Sequence, residues 1–199
     1  YAREAFAVSS AYDSAIFRYF DDGEQTAFRM SADSPKVLRY GENPHQRGFF
    51  FGNFDRYFDK LQGKEISYNN LQDIEAAVSL ISEFSAPTFA ILKHTNACGI
   101  ASRGTLIEAW QAALAGDPVS AFGGILVTNT PIDRETAQEI DKIFFEVIIA
   151  PDYDNAAMEY LTRKTNRIIL LQKEPVREQW QFRSMFGGVL MQQVDGVTA

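Results

Sequence analysis

The chain has 199 residues, 46% apolar and 23% charged, with 26 acids against 19 bases and a formal net charge of −7. That apolar content suffices for a buried core, while the acidic balance excludes a surface built on the Lys/Arg footprint that nucleic-acid phosphates need. Cys98 is the only cysteine, which excludes an intrachain disulfide and a multi-cysteine zinc site, no run reaches the roughly 18 apolar residues that cross a bilayer, and the opening residues lack a signal-peptide pattern, so the expectation is a soluble cytoplasmic protein without membrane or nucleic-acid partners.

Residues 2–20 place Ala5, Phe6, Val8, Tyr12, Ile16, Tyr19 and Phe20 near the helical period and predict an amphipathic first helix. The chain opens on Tyr1 inside that helix rather than on Met, as expected of a piece of a longer polypeptide. Residues 21–63 read as an irregular β-rich segment with extended runs at 36–40 and 48–51, broken by Asp21-Asp22-Gly23, Asn43-Pro44 and Gly52-Asn53. Asn69 or Asn70 can cap a helix whose stripe runs Leu71, Ile74, Ala77, Val78, Ile81 and Phe84, ended by Pro87. A buried strand at 88–92 follows, then a helix near 106–114, a strand at 124–128, a helix at 134–145, a strand at 147–150, a helix at 155–164 and a strand at 167–171. This alternation predicts an α/β fold, a layered sheet with flanking helices, in one domain. The tail from residue 172 is less regular but keeps the apolar run 188–191.

The densest chemical signal is KHTNACG at 93–99, where a buried strand ends in a cation, an imidazole, small polar groups and a glycine. Ligands in open α/β sheets gather at the carboxyl ends of strands. His94 can move protons near neutral pH, and Lys93 can stabilise an oxyanion or phosphate and lower the histidine's pKa, a pair suited to acyl or formyl transfer. The plain alternative is a strand-end cation beside a hydrogen-bonded turn histidine. In LRYGENPHQ, at 38–46, Arg39 offers a fork for phosphate or carboxylate and Tyr40 a stacking face, next to His45; a solvated loop explains the same residues. KEISYNN at 64–70 could present Asn69 and Asn70 to a polar ligand or use them as caps. DPVSAFGG, at 117–124, places Gly123 and Gly124 where backbone can approach a ligand or simply turn. Glu146 heads EVIIAP as a carboxylate able to orient hydroxyls such as a ribose pair, or as a solvated strand end. There is no Walker loop, Rossmann glycine fingerprint or zinc-deaminase signature.

Taken in order, LRYGENPHQ, KEISYNN, KHTNACG, DPVSAFGG and EVIIAP resemble the AICAR transformylase region of the bifunctional transformylase/cyclohydrolase family of purine biosynthesis. The similarity runs from Ala11-Tyr12-Asp13 to the FRSMFGG segment at 182–188. The resemblance implies the N-terminal half of the transformylase domain, approximately one subdomain of cytidine-deaminase-like topology, with the cyclohydrolase domain absent. It implies transfer of a formyl group from the cosubstrate 10-formyltetrahydrofolate to the amine of AICAR, without a catalytic metal and within a homodimer; a structural monovalent cation is left open. By the same resemblance His94 helps deprotonate the attacking amine and Lys93 stabilises charge on the formyl oxygen. Arg39, Tyr40, His45, Asn70, Gly123 and Glu146 are implied to bind substrate. Ala97 stands where the family commonly has proline. A noncatalytic nucleotide-binding or assembly module is the alternative, and a deaminase-like hydrolase a third reading that the lone Cys98 weakens.

Overall fold

In TFAILK, GILVT, FEVIIA and IILLQ nearly every residue is apolar, the pattern of strands covered on both faces. The computed structural model, which describes all residues except 22, 25, 177 and 196–199, bears this out. In chain order the elements are α1 (Ala2–Asp21), β1 (Lys36–Val37), β2 (Phe49–Phe50), α2 (Phe54–Tyr57), β3 (Phe58–Gln62), α3 (Tyr68–Ile81), β4 (Thr88–Lys93), β5 (Asn96–Ser102), α4 (Leu106–Gly116), β6 (Gly124–Thr128), α5 (Arg134–Ile140), β7 (Phe145–Ala150), α6 (Asn155–Leu161), β8 (Ile168–Gln172), β9 (Trp180–Met185) and β10 (Gly188–Gln193). They fall into two compact units, one formed by Leu38–Gly48 with Asn53–Val176, the other by Tyr1–Val37, Phe49–Gly52 and Arg177–Ala199.

The first of these units is a six-stranded mixed sheet in the order β3-β8-β7-β6-β4-β5. Strands β6, β7 and β8 run parallel, while β4 is antiparallel to both β6 and β5, and β3 is antiparallel to β8. Because side chains alternate along a strand, Phe89 and Ile91 face one layer and Ala90 and Leu92 the other. Phe89, Ile91, Leu126, Phe145, Ile148 and Ile169 pack with Leu106 and Trp110 of α4, Ile140 of α5 and Leu161 of α6. On the opposite face Leu92, Ile125, Val127, Val147 and Leu170 pack with Ile74, Val78 and Ile81 of α3. Burying each such side chain is worth about 1.5–3 kcal/mol, which is what fixes α3 against the sheet.

The caps refine the helix boundaries. Ser67, not Asn69 or Asn70, caps α3: its hydroxyl accepts the Asn70 N–H, and the Asn70 carboxamide oxygen accepts the Ser67 N–H, a reciprocal capping box. α5 stops at Ile140 instead of running to 145, and α6 stops at Leu161. β7 therefore begins at Phe145, which puts Glu146 inside the strand rather than ahead of it. Strands β3 and β5 emerge from segments without clear alternation.

In the other unit α1 forms as predicted, with none of its residues buried. The short β1 and β2 pair antiparallel, and the tail folds into the hairpin β9–β10. Asp22, part of the first turn signal, and residues 196–199 of the tail lie outside the described residues.

A polar cavity at the reversed strand of the sheet

Because β4 runs against β6 and β7, its carboxyl end lies beside their amino ends, and Leu92 pairs with Ile125. A cavity of about 290 Å³ opens there, at the lower end of the range for small-ligand sites. It is lined by Arg39, Tyr40, Asn70, Lys93, His94, Gly123 and Glu146, drawn from all five ordered motifs. His45 is not among the lining residues: it is exposed on a tight turn closed by the Gln46 N–H to the Asn43 carbonyl and the Gly41 N–H to the Gln46 carbonyl. The cavity lies at the carboxyl end of β4 alone; the parallel strands offer their amino ends to it.

The corner carrying His94 is a two-residue hairpin between β4 and β5, with Lys93 paired to Asn96. His94 and Thr95 have φ of 53° and 63°, the left-handed backbone that a type I′ turn requires at both positions. Neither is glycine, and each such L-residue costs about 1–2 kcal/mol. The His94 carbonyl accepts from the Thr95 hydroxyl and the Asn96 amide, both at 2.7 Å, while the Thr95 N–H donates to Asp73 Oδ1 of α3 at 2.7 Å. One residue farther along, the β4–β5 register slips, with Ile91 opposite Gly99 and Leu92 opposite Ala97, so Cys98 sits in a bulge with its thiol against the Ile91 carbonyl. Burial pushes that thiol's pKa up. Ala97 lies on β5, an edge strand where proline is also tolerated.

Lys93 Nζ donates to the Phe122 carbonyl at 3.0 Å, tying the KHTNACG strand to the DPVSAFGG loop. Gly123 is left-handed, with φ of 76°, and its N–H is engaged by the Phe144 carbonyl at 2.8 Å, so that donor is spent on the fold. Gly124 lies against the Leu92 carbonyl, which an added Cβ would approach to 2.8 Å. Asp117 at the head of the same loop accepts the Ser120 and Val119 N–H groups; the Ser120 bonds foremost hold its pKa below the ordinary carboxylate value. Glu146 forms an ion pair with Lys64, which also lines the cavity. Asn70, 8% exposed, spends its carboxamide oxygen on the capping box. Asn69 ties the Glu42 carbonyl to α3, anchoring the loop that bears Arg39 and Tyr40. The Arg39 guanidinium lies 5.5 Å from the Tyr40 ring centre.

Among the described residues, neither Arg39 nor Lys93 forms an ion pair with a carboxylate, although Lys93 is near enough to Asp117 to help lower its pKa. Among the same residues, no group of three or more His, Cys, Asp or Glu is disposed to hold a metal ion, and no helix is long and apolar enough to cross a membrane. Lys64, Glu65 and Ser67 line the cavity from within KEISYNN, and Asp73 is the charged lining residue that lies outside the five motifs. Asp73 follows Asn70 by three positions on α3 and so shares its face, a spacing visible in the sequence.

Fold and cavity together define an α/β protein with a polar small-ligand cavity at the end of its central sheet, lined by both cations and carboxylates. A family model described as the AICARFT/IMPCHase bienzyme matches residues 1–199. Similar proteins include three named bifunctional purine biosynthesis protein PurH. That of Bacteroides thetaiotaomicron is 66% identical over 194 residues, covering 98% of this chain and 38% of the relative. Those of Microcystis aeruginosa and Chloroflexus aurantiacus are 45% and 44% identical, each across 98% of this chain and 40% and 39% of the relative. The chain belongs to the AICARFT/IMPCHase bienzyme family. It spans about two fifths of the length of these curated relatives.

Proposed function

We propose that this chain carries part of the site that transfers a formyl group from 10-formyltetrahydrofolate to AICAR in de novo purine biosynthesis. The observation that carries the reading is the gathering of Lys93, His94, Arg39, Tyr40, Asn70, Gly123 and Glu146 around one cavity. AICAR is an anionic nucleotide with a weakly nucleophilic amine, its lone pair delocalised into the imidazole. Arg39 suits its phosphate by charge and fork geometry. His94 takes the proton the amine sheds as it attacks the formyl carbon, and Lys93, with one of its three N–H donors on Phe122, directs the others to the developing oxyanion. Glu146, neutralised by Lys64, is placed to accept from ribose hydroxyls. His45 contacts substrate only if the rest of the polypeptide or a second subunit extends the site toward it. The family supports a homodimer as the working assembly and a cytidine-deaminase-like topology for the sheet unit.

The test is formyl transfer by the full-length polypeptide. His94→Ala and Lys93→Ala are each expected to lower kcat by about 10²-fold or more; unchanged turnover in both would overturn the assignment. Titrating AICAR into the 199-residue chain, then adding the folate donor, separates binding from turnover. Binding without turnover would favour the noncatalytic module for this chain in isolation.

A further inference from the structure

We infer that Asp73 is a positioning residue that holds the His94–Thr95 turn in its strained hand, and so fixes where His94 meets the cavity; the inference rests on the reading of His94 just given. The peptide joining His94 to Thr95 is gripped on both sides. Its carbonyl accepts from Thr95 Oγ1 and Asn96 Nδ2, and its N–H donates to Asp73 Oδ1, each at 2.7 Å. The first two bonds are local to the hairpin, whereas the third comes from α3 and anchors the turn to a helix packed on the sheet.

That outside anchor answers a specific problem. Turning over the central peptide interconverts type I′ and II′ turns and is the shortest route by which Thr95 leaves left-handed space. A β-branched residue gains most from leaving. The chain supplies its own comparison in β9–β10, also joined by two left-handed residues, Phe186 and Gly187 with φ of 50° and 77°. There the second position is glycine, with nothing within 4 Å of an added Cβ, and that turn needs no partner to keep its hand. At 94–95 the glycine is missing and a carboxylate acceptor stands in its place, giving a charge-assisted bond. Asp73 itself lines the cavity and, among the described residues, makes no ion pair with Lys93 or Arg39.

The experiment compares the full-length wild type with Asp73→Ala and Asp73→Asn by steady-state formyl transfer and by hydrogen exchange over residues 93–99. In Asp73→Ala the turn is expected to exchange faster and kcat to fall tenfold or more, while KM for AICAR moves less than about threefold, because the histidine is displaced and the nucleotide contacts are not. Asp73→Asn keeps an oxygen acceptor at the same place and is expected to recover most of kcat and protection. Unchanged exchange in Asp73→Ala would overturn the inference, as would equal losses in the alanine and asparagine variants. If the wild type transfers no formyl group, the proposed reaction fails, and exchange alone still decides whether Asp73 holds the turn.

Discussion

Lys93 and Gly123 come from motifs far apart in the chain, yet the ammonium of one bonds the carbonyl immediately preceding the other. The left-handed backbone at Gly123 turns the loop so that the Phe122 carbonyl points at Lys93 while its own N–H closes onto Phe144. A Cβ added at Gly123 would lie 3.8 Å from the Phe144 ring, so there is room for it and the obstacle is purely conformational. Gly123→Ala is therefore expected to cost about 1–2 kcal/mol in urea unfolding, with unfolding remaining cooperative. A loss several times larger would mean that the side chain meets something the cavity wall does not show. At this scale the residues lining the cavity were largely legible, because Lys93, His94, Arg39 and Glu146 stand inside distinctive short motifs. Asp73 was not, since its partner is a backbone N–H and no side-chain pattern announces such a bond. His45 was placed in the site by the family resemblance of LRYGENPHQ, and it stands exposed on a tight turn outside the lining of this cavity.

Elements end where something satisfies their orphan groups, and the C-terminus of α5 shows how. Arg167, fully buried, donates to Asp141 Oδ1 at 2.7 Å and to the Asp141 and Ile143 carbonyls, with its guanidinium 4.4 Å from the Phe145 ring centre. The carbonyls of Ala137, Glu139 and Ile140 inside α5 are taken by the N–H groups of Asp141, Lys142 and Ile143, and the Arg167 fork holds the carbonyls just beyond, fixing the turn that ends the helix at Ile140 and lets residues 145–150 run as β7. Lysine cannot serve that planar set of acceptors. Arg167→Lys is expected to destabilise the protein by about 3 kcal/mol, read as a shift of the denaturant midpoint at constant slope; a change within 0.5 kcal/mol, about the noise of a surface substitution, would exclude the fork as what fixes that turn. The sheet-forming runs were legible because covered strands are continuous apolar stretches. β3 and β5 were not: each lies at an edge of the sheet, where FDKLQ and NACGIAS need not alternate strictly. The Ser67 cap was hidden behind asparagines that are themselves good cap formers, one of which proves to be its partner.

At the scale of the molecule, one antiparallel strand among parallel ones decides what the cavity is made of. Were β4 parallel to β6, Lys93 would lie at the opposite end of the sheet from Glu146; its reversal brings a carboxyl terminus, two amino termini and the start of α3 to one place. The alternating pattern foretold layers of helix and strand but carried no sign of strand direction, which depends on the connections. The same strand order also has a consequence in time. β4 and β5 meet across a two-residue turn, whereas β3 reaches β8 only after almost all of the sheet unit has been traversed. Local pairings close with little loss of chain entropy and distant ones with more, so the hairpin bearing His94 is expected to gain protection early in refolding and β3 late, a sequence that pulse-labelled hydrogen exchange reads directly. Lys64 sits just past β3, and so the ion pair with Glu146 waits for the last strand to dock. The cavity then becomes a clock for folding: its His94 corner is among the first features to form, and its far wall among the last.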